Sequence, residues 1–168
     1  MTAEELKRLL GLEPLPFEGG YYRETHRAAL SLAPPAWPGD YGGPRSASTA
    51  IYYLLDPGTF SWMHRLRTAE VYHFYLGDPV ELLMLHPDGR GEVVVLGPDL
   101  AAGQRVQLVV PEGVWQGSRV IDGGRFALMG TTMAPGFDLA DFELGDEVAL
   151  SARWPAHAAR IAALARPR

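Results

Sequence analysis

Three side chains in the middle of the chain carry functional groups at spacings that suit acid–base or metal chemistry: His64, Glu70 and Gln116. They lie in the stretches HRLRTAEVYHFYLG (64–77) and VPEGVWQG (110–117). Alternate residues of a β-strand share a face. Trp62, His64 and Leu66 therefore look one way, while Glu70, Tyr72, Phe74 and Leu76 form a matching set on the following strand, with His73 turned away. An imidazole beside a carboxylate is the arrangement of a general base and the group that orients it. The same atoms are also candidate metal ligands. One nitrogen and two oxygens make a poor set for zinc, which takes four strong ligands or three and a water. They suit better a weakly held Mn²⁺, Fe²⁺ or Mg²⁺ that keeps several waters. Leu66 takes volume where a further ligand would stand. A third reading is plain burial, with His64 and Glu70 satisfying each other by a hydrogen bond. His73 is a packing or interface histidine on this pattern, and becomes a reserve ligand only if a β-bulge reverses its face.

A second group of polar residues lies in GGYYRETHR (19–27). Alternation puts Tyr22, Glu24 and His26 on one face and Tyr21, Arg23 and Thr25 on the other. Arg23 and Glu24 are the candidates here to hold a substrate, against the alternative of an ordinary strand. Tyr52, Tyr72 and Met84 are candidate walls for a planar or sugar-like ligand. Ordinary core packing is the other reading for all three.

These residues need elements to position them. Thr2 is a candidate N-cap for a first helix, with Glu5 as its capping-box partner and Gly11 as its stop. From Tyr21 to about Met133, short runs of Val, Ile, Tyr, Phe and Leu alternate with turn clusters such as LDPGT, HPDGRGE and PEG. That rhythm predicts an all-β sandwich or barrel rather than alternating βαβ units. LLMLHPDGRGEVVVLG reads as two strands joined at Pro87-Asp88-Gly89. The proline- and glycine-rich segment from Leu32 to Arg45 reads as a long irregular loop, a candidate lid. WPAHAARIAALARPR returns to helical composition. The spacing predicts one domain over residues 1–168, with no repeat or linker.

Composition narrows the function classes. The chain has 168 residues, of which 47% are hydrophobic and 21% charged, the balance of a globular domain with a real core. A net charge of -5 gives no electrostatic pull toward nucleic acid or an anionic membrane. With no cysteine, thiolate chemistry and disulfides are excluded. Charges interrupt the apolar positions of the N-terminus, unlike a secretory signal, so the cytoplasm is the expected location. GDYGGPRSAS lacks the lysine and the strand-to-helix context of a phosphate loop.

Taken together, the spacings resemble the two motifs of the cupin superfamily. Gly58, His64, Glu70 and Gly77 fall in register with the first motif, and Leu66 stands where its second histidine would be. Pro111 and Gly113 match the second motif, in which Gln116 replaces a histidine. The longer phrases EGGYYRETHR, STAIYYLL, VVPEGVWQG and GTTMAPGFDLADFELGD are similar to the cupin-5, or DUF985, family. The resemblance implies a double-stranded β-helix (jelly roll) with short N- and C-terminal helices, assembled as a homodimer. It also implies a small-molecule ligand in the barrel. Gly20, Tyr21, Tyr22 and Glu24 resemble a segment of the dTDP-sugar 3,5-epimerases, another cupin branch. This likeness implies an isomerase or epimerase in which His64 is the base and Glu70 its orienter, with Gln116 and Arg23 holding the substrate. Two alternatives stand beside it. One is a divalent-metal-dependent oxygenase or isomerase using His64, Glu70 and Gln116. The other is a non-catalytic binding or sensor module.

Overall fold

A computed structural model describes residues 1–33 and 41–167. The chain opens with helix α1 (Ala3–Leu10), and Thr2, Glu5 and Gly11 act as the sequence predicts. The Thr2 hydroxyl accepts from the Glu5 amide at 3.2 Å, and the Glu5 carboxylate accepts from the Thr2 amide at 2.8 Å. Gly11 ends the helix at φ 61°. Leu6, the buried residue of this helix, docks on Leu12, Leu54 and Leu128, on the outside of a sheet.

Thirteen strands follow among the described residues. The early ones are β1 (Glu13–Pro14), β2 (Tyr21–Arg27), β3 (Ser31–Leu32), β4 (Arg45–Ser46) and β5 (Thr49–Leu55). The middle of the chain supplies β6 (Ser61–Leu66), β7 (Glu70–Gly77), β8 (Val80–Leu85) and β9 (Gly91–Leu96). The last are β10 (Gln107–Val110), β11 (Trp115–Val120), β12 (Ala127–Met133) and β13 (Phe142–Leu144). Six of them form one antiparallel sheet in the order β1-β2-β5-β12-β7-β10, and five form a second in the order β13-β6-β11-β8-β9. The two sheets face each other as a jelly roll, and Tyr53, Tyr72, Phe74, Leu82, Met84 and Met129 fill the space between them. β3 and β4 make a separate two-stranded ribbon. The expected lid over Leu32–Arg45 falls mainly on residues 34–40, outside the described residues.

Alternation explains the core. In β7, Glu70, Tyr72 and Phe74 are buried while Val71, His73 and Tyr75 face outward and are half-buried or exposed. Leu76 departs from the expected face. A register shift between β12 and β7 skips Tyr75, pairing Met129 with Phe74 and Leu128 with Leu76, and Leu76 is left 37% exposed.

The outer face of the five-stranded sheet is covered by the C-terminal helices α2 (Glu147–Arg153) and α3 (Ala158–Ala163). Trp154, Ile161 and Leu164 pack there on Met63, Leu83 and Trp115. The apolar outward residues of this sheet therefore bury themselves within the chain. Among the described residues the six-stranded sheet is covered in part, by α1, and Tyr75 and Val109 of its outer face are 50% and 52% exposed. Among the described residues, no helix is long and apolar enough to cross a membrane.

Candidate functional site

The site begins with a loop that sequence reasoning passed over. Between β1 and β2 the chain turns through Gly19 and Gly20, at φ 95° and 71°. A side chain at Gly19 would collide with the Phe60 carbonyl, and one at Gly20 would come within 2.8 Å of Leu55. Glycine is thus required by both conformation and space. The tight turn points Glu18 into the barrel, where the Ser61 hydroxyl donates to Glu18 Oε1 at 2.9 Å. The Trp62 amide fixes the loop by donating to the Glu18 carbonyl at 2.8 Å. Tyr53, whose hydroxyl donates to the Gly19 carbonyl at 3.0 Å, holds it from the other sheet.

His64 stands behind Glu18. It is fully buried, and its ring stacks on Phe142 with centroids 5.1 Å apart and planes 17° from parallel. Nδ1 lies 2.7 Å from the Trp62 carbonyl, which can only accept, so Nδ1 carries the proton and Nε2 presents a lone pair. Nε2 has no hydrogen-bond partner and lies 4.0 Å from Glu18 Oε2. Burial depresses the His64 pKa, a tendency that the nearby Glu70 charge opposes.

Glu70 enters from the opposite sheet. The Gln116 amide nitrogen donates to Glu70 Oε2 at 2.8 Å, a bond that spans the barrel from β11 to β7. Thr131, on the cavity wall with this carboxyl, favours its charged form. The Gln116 carbonyl oxygen is buried without a partner. Burial pushes both carboxyls up: Glu18 to about 7, and Glu70 above its ordinary range, where the Glu18 charge adds to the effect. Tyr53 and Tyr72 are held well above the usual phenol range, so they remain neutral hydroxyls beside the acids.

Glu18 and Glu70 both line a narrow cavity of about 50 Å³ that opens to solvent. Its other walls are mostly apolar and include Phe17, Ile51, Leu66, Met133 and Phe137. Phe17 and Phe137 stack with ring centroids 5.8 Å apart. Among the described residues, no lysine or arginine lines this cavity.

The residues singled out from sequence divide into three groups. Glu70 and Glu24 line the cavity, though Glu24 is already engaged by Arg27 at 2.7 Å. His64, Gln116, Tyr72 and Met84 are buried close by but do not form its surface. Arg23 and Tyr52 lie elsewhere. Both are on the outer face of the six-stranded sheet, the guanidinium 5.5 Å from the Tyr52 ring, and Tyr52 meets Tyr75 edge-on at 6.2 Å. Alternation accounts for this, since Tyr22 and Ile51 point inward and their strand neighbours must point out. His73 is on that outer face too, with Nε2 3.0 Å from the Thr132 hydroxyl. Glu18, Ser61 and Thr131 were missed. The doublet Gly19-Gly20 was the available signal for Glu18, because consecutive positive-φ glycines mark a chain making a close approach.

The set does not fit a metal. Leu66 is a buried hydrocarbon at one expected ligand position, and Gln116 turns its amide nitrogen toward Glu70. Among the described residues, no three His, Cys, Asp or Glu side chains are grouped so as to hold an ion.

A profile of the family described as Cupin superfamily (DUF985) matches residues 4–145. The chain is a DUF985 cupin. This cupin is 36% identical to the protein SO0799 of Shewanella oneidensis, whose structure superposes with a TM-score of 0.87 over 100% of this chain and 99% of that one. It is 30% identical to YML079W of Saccharomyces cerevisiae over 88% of this chain and 79% of the yeast protein. A more distant likeness, to the structure of Bacillus subtilis oxalate decarboxylase with its Mn(II) centres, has 13% identity and a TM-score of 0.51. It covers 91% of this chain and 37% of that one, and speaks for the fold alone.

Proposed function

We propose that this cupin binds a small organic molecule in the barrel and moves a proton on it with Glu18 and Glu70, without a metal. One observation carries the reading: two carboxyls shielded from water share one cavity wall, backed by an imidazole whose lone pair is unused. A carboxyl that holds its proton near neutrality can donate, and a neighbour that has lost its proton can accept. Together they suit an isomerisation, in which one group removes a proton and another returns one. His64 does not reach the cavity, so it serves as a positioning residue that exchanges protons with Glu18.

Two other readings lose support. Nucleotide-sugar chemistry wants cations for the diphosphate, and Arg23, the cation of the motif, lies on the outer face. Metal-dependent chemistry of the kind suggested by the Mn(II) centres of oxalate decarboxylase would need donors that Leu66 and Gln116 do not provide. The half-exposed Tyr75 and Val109 support a homodimer through the six-stranded sheet. Sedimentation equilibrium should give twice the chain mass at micromolar concentration, and a monomer there ends that part of the proposal.

The function is tested by a thermal-shift screen of small molecules on wild type and Glu70→Gln. Compounds that stabilise the wild type should lose their effect in the variant. Compounds that stabilise both alike bind elsewhere and contradict the reading.

A further inference from the structure

The cavity's inventory of hydrogen-bonding groups is lopsided, and the imbalance has a chemical meaning. Two unused acceptors lie just behind its lining, on His64 and Gln116. His64 Nε2 is a lone pair, because Nδ1 spends the ring's proton on the Trp62 carbonyl. The buried Gln116 oxygen is a carbonyl, because its amide nitrogen is committed to Glu70. Glu18 Oε2 faces His64 at 4.0 Å rather than a donor. Two donors beside the acids are already engaged, Ser61 with Glu18 and Gln116 with Glu70, while the Ser118 hydroxyl is buried without a partner.

Charge tells the same story. Three carboxyls line the cavity and, among the described residues, no lysine or arginine does. Glu24 has Arg27 as its counter-ion, whereas Glu18 and Glu70 have no arginine or lysine within ion-pair distance among the described residues. A pair of buried carboxylates without a cation is costly, which is why the cavity by itself favours their protonated forms; a cationic ligand relieves that cost and an anionic one adds to it. Just outside the acids, the walls turn apolar and aromatic at Phe17, Tyr22 and Phe137, which suits the body of an organic cation.

Resting on the small-molecule reading above, we infer that the ligand is an organic amine: an ammonium or amidinium head on an apolar, ring-sized body, with its N–H donors on Glu18 and Glu70. The head supplies the missing positive charge. The body fills the apolar stretch between Leu66, Ile51 and Met133. A hydroxyl in the same place would supply one donor and no charge, and a carboxylate would bring a further negative charge to a wall that already carries three carboxyls.

Three probes of nearly equal shape separate these cases: benzylamine, benzyl alcohol and benzoate. Each is titrated calorimetrically into wild type, Glu18→Gln and Glu70→Gln at pH 7.5, in phosphate buffer so that the buffer is not itself an amine. Benzylamine should bind wild type at least tenfold more tightly than benzyl alcohol, with no heat from benzoate. Either substitution should weaken the amine at least tenfold and change the alcohol by less than threefold. Circular dichroism confirms that both variants are folded. Benzyl alcohol or benzoate binding as well as the amine overturns the charge assignment and leaves the cavity reading standing. Amine binding that survives both substitutions overturns the assignment of Glu18 and Glu70. Silence from all three probes removes the amine inference and the cavity reading together.

Discussion

Replacing Glu18 by glutamine should make this protein more stable, and only above a particular pH. The Glu18 carboxyl has its pKa raised from 4.5 to about 7, with burial as the leading cause. In the unfolded chain the same group loses its proton near 4.5. Between the two values the folded state therefore binds more protons than the unfolded state, and stability falls as pH rises. Each tenfold change in proton affinity corresponds to about 1.4 kcal/mol, so the folded state gives up about 3 kcal/mol across that window. Above pH 7 the loss is complete and constant. Glutamine keeps the shape and can still accept from Ser61, but has no proton to lose. The variant should match wild type within about 0.5 kcal/mol at pH 4, gain steadily to pH 7, and stay about 3 kcal/mol ahead beyond it. In a domain of this length that is a difference of roughly 6–12 °C in Tm. Burial of His64 acts in the opposite sense, removing stability as pH falls below 6.5, but it is common to both proteins and cancels in the difference. Urea denaturation of both proteins from pH 4 to 8, at one protein concentration, reads the effect directly. A stability difference that does not change with pH would refute the reasoning.

Other perturbations should behave as the contacts dictate. Arg45 holds Asp141 through two bonds of 2.7 and 2.8 Å, both side chains being nearly buried. Arg45→Met should cost about 3–5 kcal/mol by urea denaturation, because it strands a buried charge, and adding Asp141→Leu should recover most of the loss. Wild type should show no thermal shift with millimolar Mn²⁺ or Zn²⁺. The pair Leu66→His and Gln116→His should gain one, and a ligand at 100 times its Kd adds about 2.7 kcal/mol. His64→Ala should lower the Glu18 pKa, because it opens space for water beside that carboxyl, and infrared titration of the carboxyl band would read the change.

The fold was legible because its signals are local and repeat. Alternation in EVYHF marks Glu70 and Tyr72 as inward and His73 as outward, and the strands obey it. Thr2, Glu5 and Gly11 announce a helix through hydrogen bonds made within one turn of chain. Leu76 was misplaced because a register shift depends on the partner strand, which one strand's own sequence does not encode. The site was legible only in part. His64, Glu70 and Gln116 follow from the motif spacing, but that spacing does not specify which atom faces the cavity. Glu18 escaped notice because it belongs to a loop 46 residues from His64, and only the packing of Gly19 against the Phe60 carbonyl brings it inside. Arg23 and Tyr52 drew attention by their chemistry, yet the parity of their strands sends them outward.

The proposed proton chemistry requires two carboxyls that keep protons where most glutamates have lost them. Carbon-13 NMR of protein labelled at the glutamate carboxyl carbon measures this without any ligand. The Glu18 resonance, assigned through Glu18→Gln, should titrate with a midpoint near 7, and that of Glu70 should titrate above the ordinary carboxyl range. Both resonances titrating at or below 4.5 would mean that the barrel hydrates these groups freely, and the proposed proton chemistry would have no basis.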